Sequence, residues 1–159
     1  MFLDYDLLGI KRNGGDSFLK ENLNPMNLLF YSTGDDQNKK RLEASVHKVI
    51  PESKIELFKR LDDFRERFRM PIEPDSIAVL SASNREELQQ MQLLRELLTE
   101  IYVIVVIPDR KDSTIRLAHL LLPRFLSQKE SDFADLQIVL NKMYSNSQYS
   151  HEGKLSEEL

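Results

Sequence analysis

Between Asn27 and Tyr144, short apolar runs alternate with stretches whose apolar residues recur every third or fourth position, and the alternation is completed five times. "NLLFYS", "KIELF", "SIAVLSA", "IYVIVVI" and "RFLS" read as strands. Each is followed by a segment with helical periodicity. A chain built this way has few solutions. Strands separated by helices pair in parallel, and their helices cover both faces of the sheet. Right-handed crossovers then restrict the order of the strands. The first, third and fourth runs are continuously apolar, as strands buried on both faces are. The second alternates and the fifth is very short, which suits the two edges. The expected architecture is therefore a three-layer α/β/α sandwich, with a five-stranded parallel sheet of order 2-1-3-4-5, the flavodoxin-like arrangement.

The helical segments carry their own signals. Leu42, Val46, Val49 and Ile50 share one face of the first helix, and Leu61, Phe64 and Phe68 mark the second. In "SNREELQQMQLLRELLTE", Leu88, Met91, Leu94 and Leu98 form a stripe, and Ser83 with Glu86 has capping-box spacing. "DSTIRLAHLLL" is a fourth helix ended by Pro123. "SDFADLQIVLNKMY" is a fifth, capped by Ser131, with Phe133, Leu136, Leu140 and Met143 inward. Residues 1–25, with an "NGG" turn and no sustained period, are expected to be an arm. Residues 26–146 form the domain, and the polar stretch 147–159 reads as a flexible tail.

Composition excludes several classes. The 159 residues carry a formal net charge of -4, against the basic balance of a dedicated nucleic-acid binder. There is no cysteine, so neither a disulfide framework nor a thiolate nucleophile is available. No run is long enough to span a bilayer and the start lacks a secretory pattern, so the expected location is cytoplasmic, without a membrane anchor. No serine sits in a nucleophile elbow, and the three histidines, His47, His119 and His151, have no metal-ligand spacing. His119, set among leucines, reads as a partly buried packing residue. In "KRLDDFRERFRM" the arginines are offset by Asp62, Asp63 and Glu66, so that segment reads as a solvated helix face.

On element order and length, residues 27 to about 146 resemble the receiver domain of two-component response regulators. The resemblance implies a set of chemical positions: an acidic pair for magnesium after the first strand, a phosphoacceptor aspartate after the third, a hydroxyl after the fourth and a lysine after the fifth. In this chain the acidic pair falls on Ser32 and Thr33, and the acceptor on Ala82. The hydroxyl position falls on Ile107 or Pro108. The lysine position falls near Gln128, with Lys129 one residue on. Nearly every required group is missing. The resemblance thus implies a degenerate, or pseudo-, receiver that keeps the scaffold, is not an enzyme and needs no cofactor.

Carboxylates nearby leave alternatives open. Asp35 and Asp36 follow Gly34 at the start of the first helix, where acidic side chains favour free N–H groups and the helix dipole. A displaced metal site using them, with Asp109 and Lys129, is the competing reading, and would make the chain a phosphorylatable receiver or small enzyme. "STG" could also hold a small anionic ligand at the helix N-terminus. The leading expectation is a phosphorylation-independent signalling module that binds a protein partner. In "LAHLLLPRFL", Leu120, Leu121 and Leu122 cannot all face the core. The expected interaction surface therefore includes Leu120, Leu121 and Phe125, and receivers of this kind dimerise through the fourth helix, fifth strand and fifth helix.

Overall fold

Five residues, Leu28–Ser32, form β1, and every one of them is buried. The computed structural model describes residues 26–34 and 36–158; the arm assigned to residues 1–25, and Asp35, lie outside the described residues. After β1 come α1 (Gln37–His47), β2 (Ile55–Phe58), α2 (Leu61–Arg67), β3 (Ile77–Ser81), α3 (Arg85–Met91), β4 (Tyr102–Ile107), α4 (Asp112–His119), β5 (Phe125–Gln128) and α5 (Ala134–Glu158). The strands make one sheet in the order β2-β1-β3-β4-β5, with every pair parallel. The apolar runs are the central strands and the two weaker runs are the edges, because only a strand covered on both faces must be apolar at every position.

The sheet separates two apolar layers. Alternate strand residues Leu28, Phe30, Val79, Ile104 and Val106 pack against Leu42 and Val46 of α1 and Leu136 and Leu140 of α5. Their neighbours Leu29, Tyr31, Leu80 and Val105 pack against Phe64 of α2, Leu88 and Met91 of α3, and Ala118 of α4. This is the period-two alternation of a pleated strand with both faces covered. Residues 26–145 form one compact unit. From Asn146 on, α5 belongs to a second unit and continues to Glu158. No helix among the described residues is long and apolar enough to cross a membrane.

Local chemistry moved some boundaries. Regular helix in α3 stops at Met91, passes through a 3-10 turn at Gln92–Leu94 and continues as turns. The Gln92 side chain donates to Leu88 O at 3.3 Å, competing for a carbonyl of the helix ladder, and to Leu117 O at 2.9 Å. The stripe Leu88, Met91, Leu94, Leu98 is buried all the same. The cap of α3 is Asn84, not Ser83: its Oδ1 accepts from Glu87 N at 2.8 Å, while Glu87 Oε1 accepts from Ser83 N at 3.0 Å. The capping pair thus lies one residue later than expected. Asn84→Ala should lower stability by about 0.5–2 kcal/mol, read as a fall in the thermal midpoint. An unchanged midpoint would show that the cap contributes nothing.

Two other expectations are corrected. His119 is exposed, because α4 turns Thr114, Ala118 and Leu121 inward and leaves His119 between them on the outside. Arg67 is not a solvated residue. Its Nε and Nη2 meet the two oxygens of Glu56 at 2.8 and 3.3 Å, a bidentate pair that ties α2 to the edge strand β2.

Candidate functional site

In a doubly wound sheet of this order, a ligand crevice is expected at the carboxyl ends of β1 and β3, where the chain reverses its direction of winding. Sheet register sets what stands there. Ser32 pairs with Ser81, Ser81 with Val106, and Val106 with Ser127. These residues make one row across the α1/α5 face, and all three serines are buried. Three hydroxyls and one valine make up this row.

The loop above the row is closed by charge and by helix caps. Asp36 caps α1, its Oδ1 accepting from Lys39 N at 3.0 Å. Its other oxygen stands 3.3 Å from Lys129 Nζ. The Lys39 N–H is the main cause that holds the Asp36 carboxyl below the usual carboxylate range; burial opposes it, and Lys129 adds to the lowering. A carbon added at Gly34 would meet Ser83 Oγ at 3.4 Å, and Ser32 Oγ and Asp36 Oδ1 at 3.9 Å. The space left among Ser32, Ser81, Ser83, Asp36 and Lys129 is about 10 Å³, room for one water at most.

The other residues that the resemblance singled out are placed as follows. Thr33 is exposed just past β1 and its hydroxyl donates to Glu87 Oε2. Ala82 is fully buried on the α2/α3 face, opposite to Ser81, with its N–H bonded to Val106 O at 3.0 Å. Ile107 is buried at the end of β4, and its register partner is Gln128. Lys129 donates its backbone N–H to Ile107 O at 3.0 Å. Asp109 turns the chain into α4, its Oδ1 accepting from Lys111 N at 2.9 Å. Its carboxyl also sits below the usual range, first through the nearby Thr114 hydroxyl and then through that N–H. The Thr114 hydroxyl is buried and meets no partner within full hydrogen-bond geometry among the described residues.

Asp36 and Lys129 are thus brought together. Asp109, Gln128 and Lys129 share an open crevice of about 390 Å³ with Arg110 and Glu130. Asp35 lies outside the described residues. Among the described residues, no three His, Asp or Glu side chains converge as a metal would require.

Glu87 and Arg41 were not singled out in the sequence. Glu87 gathers the Thr33 hydroxyl and the Ser83 N–H on one carboxylate. Burial first, and then its charge, push the Tyr31 hydroxyl up to about 12. The Asn84-to-Glu87 spacing signals this role. Arg41 donates to Asn38 Oδ1 at 2.8 Å and to Ser131 O, and its guanidinium lies 5.3 Å from the centre of the Phe133 ring. No sequence spacing points to that link. Phe133 is left-handed, with φ at 62°. For a bulky residue this conformation stores about 1–3 kcal/mol of strain.

The likeness to solved structures is one of fold. A response regulator from Colwellia psychrerythraea superposes with a TM-score of 0.56 at 15% identity, over 76% of this chain and 98% of its own. A protein described as pilus assembly-related from Burkholderia pseudomallei gives 0.55 at 16% identity, over 77% and 92%. No protein-family model matches the chain, and no curated protein matches it by sequence.

The expected interaction surface divides. Leu121 is 2% exposed and packs in the core. Leu120 and Leu122, at 49% and 68%, are the residues left outside. Leu122 takes a left-handed φ of 53° and donates its N–H to His119 O at 2.9 Å, closing α4 before Pro123. Phe125 is half-buried against the α5 layer.

Proposed function

We propose that this chain is a receiver-like regulatory module that acts by binding a protein partner, without phosphotransfer. The observation that carries this reading is the filled crevice at the ends of β1 and β3. Where receiver chemistry needs carboxylates around a metal and room for a phosphoryl group, this chain has serines, an alanine and an aspartate already paired with Lys129. Output then falls to the surface. Leu120 and Leu122 beside β5, and Ile138 on α5, are exposed apolar residues on the elements that bracket that edge strand. Exposed apolar side chains that form a contiguous patch mark interaction surfaces, and these three are the candidates on this edge. A homodimer through α4, β5 and α5 is the form of association this reading favours.

Incubation with acetyl phosphate and Mg²⁺ is expected to leave the mass of the intact chain unchanged. A Mg²⁺-dependent phosphoryl adduct would overturn the reading in favour of a rearranged site using Asp36, Asp109 and Lys129, with Asp35. Light scattering with Leu122→Glu tests the surface, since loss of a dimer mass present in the parent chain is the expected result.

A further inference from the structure

We propose that the strap from Lys129 to Phe133, between β5 and α5, is a two-position element held in its present position by two side chains of the α1 segment, Asp36 and Arg41. The strap is fastened to that segment at three points. Lys129 Nζ meets Asp36 Oδ2 at 3.3 Å, Arg41 donates to Ser131 O, and the Arg41 guanidinium covers the Phe133 ring. One bond is internal to it, Ser131 Oγ accepting from Phe133 N at 3.2 Å; at its two ends Ser131 Oγ lies 3.3 Å from Ser127 Oγ of β5, and Asp132 Oδ1 accepts from Ala134 N of α5 at 3.0 Å.

What drives the motion is the left-handed backbone of Phe133, which a buried aromatic residue holds only when its surroundings impose it. Of the groups around it here, the Arg41 guanidinium lies on a different element, while the apolar α1/α5 layer and the strap's own Ser131 hydroxyl complete its surroundings. Once Arg41 lets go, the unstrained position is a negative φ. The displacement passes into α5, because Phe133 O accepts from Gln137 N at 3.0 Å in the first turn. Ile138, exposed on α5, is the next residue. The strap therefore links the filled carboxyl edge to the start of the helix that carries part of the proposed partner surface. Only that last step rests on the proposed function; the two positions of the strap require no partner.

Native-state amide exchange on the full chain tests this. In Arg41→Ala, the amides of Phe133, Ala134 and Gln137 are expected to exchange roughly tenfold faster or more, with a smaller change in Asp36→Asn. Amides of β1 and β3 should keep the parent rates, and Lys40→Ala, on the same helix but exposed, should behave as the parent. Unchanged exchange at those three amides, or acceleration spread evenly over the sheet, overturns the proposal. If Arg41→Ala does not fold, Arg41→Lys keeps the charge, loses the fork and the stack, and should give the same local pattern. A phosphoryl adduct would defeat the functional reading and leave this result untouched.

Discussion

Leu121→Glu should unfold the domain, and Leu122→Glu, one residue further on, should leave it folded. The two side chains differ in chemistry only through where α4 ends. Leu121 is 2% exposed and sits in the layer formed with Ala118, Leu88 and Val105. A carboxylate there has no cation to pair with in that apolar layer, and its desolvation alone exceeds what a single site normally costs. A loss of more than about 4 kcal/mol is expected, most of the net stability of an ordinary domain. Leu122 is 68% exposed, and a surface change there should stay within about 0.5 kcal/mol. Circular dichroism melts of the two variants check this directly. A folded Leu121→Glu with the parent midpoint would mean that the leucine run is phased differently along α4, and that the proposed surface is misplaced with it.

The second large effect is expected at Phe64. This ring is fully buried, 5.8 Å from Tyr31, 5.4 Å from Phe58 and 5.3 Å from Phe68, measured between centroids. It is the one fully buried side chain of α2, a helix of seven residues. A helix that short does not persist without its packing. Phe64→Ala should therefore cost about 3–5 kcal/mol through lost transfer energy and the cavity left behind. It should also loosen the pairing of Arg67 with Glu56. The expected thermal shift is a fall of about 10 °C or more. A fall confined to about 2 °C would show that the aromatic cluster closes over the gap, or that α2 is held by its ion pair.

The fold was legible because it is written in period and length. Continuous apolar runs marked β1, β3 and β4, weaker runs marked β2 and β5, and the same pattern ordered the sheet. Helix ends were less legible, since Ser83 and Asn84 are both good caps and only the backbone path selects between them. The phase of the fourth helix decided His119 and Leu121, and three leucines in succession carry no phase. At the site, that Ser32, Thr33 and Ala82 carry no carboxylate is plain in the sequence. The contacts made around them are not. The Asp36–Lys129 pair joins residues from opposite ends of the domain sequence, and Arg41 reaches across to Ser131 by the same kind of long-range placement. Those contacts follow from the strand order 2-1-3-4-5, not from any local spacing.

The most direct test of the filled carboxyl edge is a titration of the intact chain with beryllofluoride and Mg²⁺, followed by the amide resonances of Gly34, Ser83 and Lys129. These residues line the space at the ends of β1 and β3. The account predicts no saturable shift at any of them. Saturating, Mg²⁺-dependent shifts at all three would mean that the crevice opens to receive a phosphoryl mimic, and would contradict it.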